Sequence, residues 1–210
     1  MNVHPSKGYV KDSTAYNVDS TALTPDYNNW QLTQVGLSYT FNGATELDSI
    51  EFGYNNVATN ISGALTVENV YKAYTGTVTV GRFIAAKGIE YTYSKKSWAM
   101  NILGTGPYRL AVELSNTGAN VPSYTCATTN KFDLNVWYYG AFKFNPSTET
   151  TLWVNNGPEI RNTSSVPSSL YVTPSPSSTD TLYVGVGYSV NAAYGFDGEI
   201  SETRISKIAR

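Results

Sequence analysis

Phe196-Asp197-Gly198-Glu199-Ile200-Ser201-Glu202-Thr203-Arg204-Ile205-Ser206-Lys207-Ile208-Ala209-Arg210 follows a series of short alternating segments and reads as the closing strand of a two-sheet β-sandwich. Upstream of it the same period of two recurs. Tyr108, Leu110, Val112 and Leu114 alternate with Arg109, Ala111 and Glu113; Trp98, Met100 and Ile102 alternate with Ala99 and Asn101. Leu182, Val184 and Val186 alternate with Tyr183, Gly185 and Gly187, and Leu65 and Val67 with Thr66 and Glu68. Successive strand side chains point to opposite sides, so each pattern sends one row to a core and one to water or a second layer. No window carries a helical stripe. Asn42-Gly43, Lys87-Gly88 and Asn156-Gly157 supply turn chemistry between the runs. The expected fold is all-β, an antiparallel two-sheet jelly-roll sandwich.

The bulk chemistry narrows the function classes. At 210 residues the chain suits one sandwich domain. Only 14% of it is charged and the net charge is −2, against about a quarter charged in ordinary domains. With no Lys/Arg run, duplex nucleic acid is not an expected partner. No segment approaches the ~20 apolar residues that span a bilayer, so no membrane partner is expected either. The first residues lack the apolar core of a signal peptide, and Cys126, the one cysteine, leaves no internal disulfide. Folding in a host cytoplasm without a signal peptide is the expectation. His4 is the one histidine, which argues against a Ser-His-Asp triad or a His-based zinc site on the domain.

Residues 1–35 are polar and turn-rich and read as an N-terminal arm lying on the domain or on a neighbour; 36–210 read as the sandwich. Residues 163–180, rich in Ser and Pro, read as a long surface loop, because Pro167, Pro174 and Pro176 exclude a central strand.

Motif order adds a family resemblance over about residues 37–210. Tyr39-Thr40-Phe41-Asn42-Gly43, Gly63-Ala64-Leu65-Thr66-Val67-Glu68, Phe83-Ile84-Ala85-Ala86-Lys87-Gly88, the Trp98–Ile102 and Arg109–Leu114 hairpin, and Trp137-Tyr138-Tyr139-Gly140-Ala141-Phe142 with Leu152-Trp153-Val154-Asn155-Asn156 occur in sequence before the closing strand. This order resembles the laminin-G-like, concanavalin A-like lectin/glucanase jelly rolls. The resemblance implies a domain that binds carbohydrate, protein or calcium, of a kind also appended to phage and virion proteins. Ser201 stands where that family commonly has Asp, and the Ser/Pro loop resembles an insertion.

Three constellations are candidate sites. Glu46-Leu47-Asp48-Ser49-Ile50-Glu51 resembles the E-x-D-x-x-E signature of jelly-roll β-glucanases, in which the outer glutamates act as nucleophile and acid. Retention needs carboxyls about 5–5.5 Å apart. Glu46 and Asp48 would share a strand face, and Glu51 would join them only through a bulge. The other reading is an edge strand carrying acids against pairing, favoured because the motif follows the opening turn whereas the enzymes carry theirs mid-chain. Asp197, Glu199 and Glu202 are the candidate calcium set; calcium takes six to eight oxygens, and a solvated strand end is the alternative. Tyr188, Asn191 and Tyr194, in the loop before the closing strand, are the candidate ligand-binding set, because aromatic faces with amides suit sugars or protein hot spots. Tyr138, Tyr139 and Trp153 form another aromatic set. Leu152 and Val154 are expected to face inward, which turns Trp153 outward.

The expected function is a non-enzymatic binding or assembly module at a virion surface, a capsid decoration or tail appendage of a phage. Its expected partners are other virion proteins held through the arm and a cell-surface glycan, with a homo-oligomer as a further option. A free lectin and a glycoside hydrolase using Glu46, Asp48 and Glu51 are the alternatives. No cofactor other than calcium is expected.

Overall fold

The computed structural model describes residues 20–24, 30–43, 48–52, 59–75, 82–88, 96–104, 108–119, 124–129, 131–172, 181–186 and 194–210. Among them two seven-stranded antiparallel sheets pack face to face. The first runs β1 (Ser20–Thr24), β4 (Ser49–Phe52), β13 (Leu182–Val184), β6 (Arg82–Lys87), β7 (Trp98–Leu103), β8 (Arg109–Leu114) and β9 (Tyr124–Ala127). The second runs β12 (Ile160–Asn162), β11 (Glu149–Val154), β10 (Trp137–Asn145), β5 (Leu65–Ala73), β14 (Asp197–Ser206), β3 (Gly36–Asn42) and β2 (Trp30–Thr33). The chain is a jelly-roll sandwich, and none of its described helical segments is long and apolar enough to cross a membrane. Two segments inside the stretch read as the arm are strands: β1 pairs with β4 and β2 with β3, each at the edge of its sheet.

Alternation builds the core as read. Leu65, Val67 and Tyr71 of β5 meet Met100, Ile102, Leu110 and Val112 of the opposite sheet. The Trp98 and Phe142 rings meet edge to face across the two layers at 5.8 Å. Leu170, in the Ser/Pro loop, is also buried in this core. Backbone bonds from Leu170 to Ser62 and from Tyr171 to Ser115 hold that part of the loop on the domain.

Besides a register shift between Ser20 and Ala22 in edge strand β1, two bulges break the simple period. In β14 the register shifts between Ile200 and Glu202, and the Ser201 hydroxyl donates to the Leu37 carbonyl at 3.0 Å. Ile200 and Ile205 are an odd number apart, yet both pack on the core; the extra residue shifts the alternation by one, as a bulge does. It also leaves Glu202 and Arg204 on the outer face. A second shift, between Phe83 and Ala85, puts Ile84 and Ala85 in the core and Phe83 and Ala86 outside it.

A third departure corrects the reading of one strand as continuous from Leu182 to Gly187. The strand ends at Val184, and Gly185 has φ 88°. Beyond that reversal Val186 packs with Tyr183 on the outer side, away from Leu182 and Val184.

Candidate functional site

The outer face of the second sheet gathers chemistry from four strands. Phe142 and Leu152 point into the core, so their neighbours Tyr139, Ala141 and Trp153 point out. The register then aligns Trp153 with Ala141, Ala141 with Glu68, and Glu68 with Arg204. The Tyr139 hydroxyl donates to Glu68 Oε1 at 2.6 Å. Arg204 Nη2 lies 3.0 Å from Glu202 Oε1, and Arg204 Nη1 3.9 Å from Glu68 Oε2. Burial, then the bond to Glu68 and its charge, push the Tyr139 phenol up to about 12, so it stays protonated in the working pH range. Glu68, Asn69, Val70, Tyr139, Glu202 and Arg204 line a shallow cleft of about 60 Å³. That is smaller than the ~300–1,000 Å³ of pockets that enclose a drug-sized molecule. The geometry suits gripping one edge of a ligand that lies across the sheet.

Trp153 is partly exposed and faces outward, as its neighbours require. Tyr138 does the opposite: its ring packs in the core against Phe132 and Tyr71, and its hydroxyl accepts from the Asp133 N–H at 2.9 Å. Tyr194 covers Phe83, Ala86 and Ala99 on the outer face of the first sheet, with its ring 6.2 Å from Phe83. Trp153 and Tyr194 therefore lie on opposite outer faces of the sandwich. Tyr188 and Asn191 lie outside the described residues. Sequence reasoning missed Glu68 and Arg204 as partners of Tyr139. Their outward phase is visible as alternation with Val67 and Ile205, but their nearness to Tyr139 depends on strand register.

The three carboxylates of the candidate calcium set each face a cation. Glu199, 1% exposed, takes Lys72 Nζ at 2.5 Å, the Ser38 hydroxyl at 2.8 Å and the Tyr74 hydroxyl. Lys72 Nζ itself lies between the Tyr74 and Trp137 rings, 5.3 and 5.1 Å from their centroids. Asp197 acts electrostatically on Arg82, and Glu202 pairs with Arg204. Among the described residues no group of three His, Cys, Asp or Glu side chains converges to hold a metal.

These pairs make a pH prediction. Burial pushes the Glu199 carboxyl up, but the bonds from Lys72, Tyr74 and Ser38 outweigh it and leave it below its ordinary value of 4.5. The hydrogen bond from Lys143 leads the causes that hold Glu149 below 4.5 as well. A carboxyl depressed in the fold stabilises fully above its unfolded value and loses that stabilisation as pH falls through the folded one. Thermal unfolding should therefore move little from pH 7 to about 5.5 and fall steeply below about 4.5. Glu199→Gln should start lower at pH 7 and fall less; an acid limb identical to that of the unmodified chain would refute the assignment.

The acidic motif after the opening turn is divided. Glu46 lies outside the described residues. Asp48 is fully buried, and its Oδ2 accepts the Asn42 N–H at 2.8 Å, tying the start of β4 to the end of β3. β4 pairs with β13 in unbroken register through Ile50, Glu51 and Phe52. Ile50 and Phe52 enter the core, so Glu51 projects to the other side, opposite Tyr183. Burial raises the Glu51 carboxyl, with the Ser49 bond opposing. The bulge needed to bring Glu51 to the face of Asp48 does not occur.

A family model described as the concanavalin A-like lectin/glucanases superfamily matches residues 45–210. No curated protein sequence matches the chain. Among solved structures, the binding domain of Paraclostridial Mosquitocidal Protein 1 superposes with a TM-score of 0.69 at 13% identity, over 98% of this chain and 48% of that one. The ligand-binding domain of botulinum neurotoxin serotype D, solved with N-acetylneuraminic acid, gives 0.62 at 13%, over 99% and 47%. The CBM40 of the Ruminococcus gnavus IT-sialidase, bound to α2,3-sialyllactose, gives 0.54 at 14%, over 72% and 79%. The chain thus spans about half the length of the two toxin domains, and at these identities the likeness is one of fold.

Proposed function

The chain belongs to the concanavalin A-like lectin/glucanases superfamily, and we propose that it is a non-enzymatic glycan-binding module displayed on a virion surface, as a capsid decoration or tail appendage of a phage. The observation that carries the binding half is Trp153 standing outward beside the Tyr139–Glu68–Arg204–Glu202 cleft. An indole offers an apolar face to the C–H side of a sugar ring, while carboxylates and a guanidinium exchange hydrogen bonds with its hydroxyls. Two domains of the same fold were solved with sialic-acid sugars, which supports the reading. Aromatic anchors at binding centres are worth about 2 kcal/mol or more, some 30-fold in affinity. Trp153→Ala should therefore lose roughly 30-fold or more on the best glycan of an array while its melting temperature stays near that of the unmodified chain. Undiminished binding would end this assignment. Sugar release from a β-glucan, abolished by Glu51→Gln, would establish hydrolysis instead.

The display half draws support from the edge of the second sheet. β2 reads Trp30-Gln31-Leu32-Thr33, without charge or proline, and Leu32 is 86% exposed. Edge strands that stay solitary are commonly guarded by Lys, Pro or a bulge. A contact with a neighbouring particle protein along this edge uses what such guards would block. Leu32→Lys should abolish particle incorporation with a stability change within about 0.5 kcal/mol, the usual range for an exposed site. Normal incorporation of Leu32→Lys would count against the edge as the contact.

A further inference from the structure

We infer, resting on the glycan-binding reading above, that the outer face of the second sheet takes a linear oligosaccharide lying along β10 rather than a single terminal sugar. The placement of three rings carries the inference. Tyr138 turns into the core, so its neighbours Trp137 and Tyr139 turn outward. The Trp137 ring centroid lies 5.1 Å from Lys72 Nζ, and the Tyr139 hydroxyl donates to Glu68; both partners stand on the outer face of β5. Trp153 joins from β11, opposite Ala141. All three rings are partly exposed. At about 3.4 Å per residue, Trp137 and Ala141 lie about 13–14 Å apart along β10. One pyranose is well short of that length. A chain of them covers it and can lay a C–H face on each ring in turn.

The side facing this aromatic strip is polar. Two strands over, β14 turns out Glu202 and Arg204, both half-exposed, at the registers of Val70 and Glu68. Tyr139 pairs with Val70 from the other side of β5. Val70 therefore lies between ring and carboxylate and raises no long side chain there. The shallow cleft lined by Val70, Tyr139, Glu202 and Arg204 occupies this gap. With strands about 4.8 Å apart, the gap from β10 to β14 is about 10 Å wide, room for one chain and not for a stack of them. An oligosaccharide seated in it has its C–H faces on the rings and its hydroxyls along Glu202 and Arg204. The far end of the strip is braced before any ligand arrives. Lys72 Nζ lies between the Trp137 and Tyr74 rings and pairs with Glu199. A ring held in this way has less freedom to lose on binding.

The probes are linear homo-oligomers of glucose, mannose, galactose and N-acetylglucosamine, one to six units long, printed as an array and followed by calorimetric titration of the best-bound series. Affinity for the unmodified chain should rise about tenfold or more from one unit to four, then level off once the strip is covered. Trp137→Ala should remove most of that rise, with a much smaller effect on the shortest member. Trp137→Leu, which keeps apolar bulk beside Lys72 but offers no flat face, should do the same and so separates stacking from lost packing. A flat length series in the unmodified chain would overturn the inference and leave glycan binding standing. A full rise retained in both Trp137 variants would also overturn it, because the added units would then rest elsewhere. An array with no bound sugar of any length would remove the binding function and this inference together.

Discussion

Gly185→Ala should destabilise the domain by roughly 2–5 kcal/mol. Gly185 follows β13 with φ 88°, a region that costs an L-residue about 1–2 kcal/mol. An added Cβ would also fall inside the van der Waals envelope of Phe41 Cδ1 and Cε1. The Phe41 ring is fully buried and meets Tyr39 at 4.8 Å and Phe196 at 6.2 Å. It cannot swing aside without disturbing both, and overpacking of this kind costs about 1–3 kcal/mol more. Nor can the backbone easily yield, because the Gly185 N–H bonds to Ile84 and its carbonyl accepts from Phe196. The sum corresponds to a melting temperature lower by on the order of 10 °C. Phe41→Leu in the same chain should recover part of the loss, giving less than additive destabilisation. A Gly185→Ala protein that melts with the unmodified chain would show that neither the dihedral nor the close approach matters.

Phe142→Ala should cost about 3–5 kcal/mol, the usual range for removing a buried phenylalanine. Phe142 comes from β10 in the second sheet and Trp98 from β7 in the first; both rings are essentially unexposed, and they meet edge to face. The variant loses the transfer free energy of a ring and opens a cavity between two hydrogen-bonded layers that close only slightly. The edge-to-face contact contributes about 0.5–1.5 kcal/mol beyond area. Trp98→Ala and Phe142→Ala together should therefore fall short of additivity by about that amount. Chemical denaturation of the two single variants and the double variant measures this directly. A loss below about 1 kcal/mol for Phe142→Ala would contradict the packing.

Much of this architecture was legible in the residues. The alternation of Trp98, Met100 and Ile102, and of Leu110, Val112 and Leu114, identified core rows that the structure places side by side on the inner face of the first sheet. The outward turn of Trp153 followed from Leu152. Other features were opaque for a definite reason. Nothing in Ile200-Ser201-Glu202-Thr203-Arg204-Ile205 says which residue is the extra one; it is visible only in the pairing, where β5 runs along both halves of β14 with a shift between them and β3 pairs with the first half. Gly185 looked like a strand glycine because a period of two continues through it. What it requires is visible only in the fold: a positive φ, and no room for a Cβ beside Phe41, more than a hundred residues earlier in the chain.

The candidate site divides in the same way. Tyr138 and Tyr139 are adjacent in sequence and were grouped with Trp153, yet one ring serves the core and the other the surface. Tyr194 was grouped with the exposed loop, yet it covers the opposite face of the sandwich. By itself the order of amino acids determined that strands form, which side chains of the regular strands turn inward, and that two layers close over a shared apolar core, because these depend on near neighbours and on burial. Only the tertiary structure decided that Tyr139, Glu68 and Arg204 meet on the face that carries Trp153. Their meeting depends on the register of strands drawn from distant parts of the chain, and a slip of one residue would send each side chain to the other face.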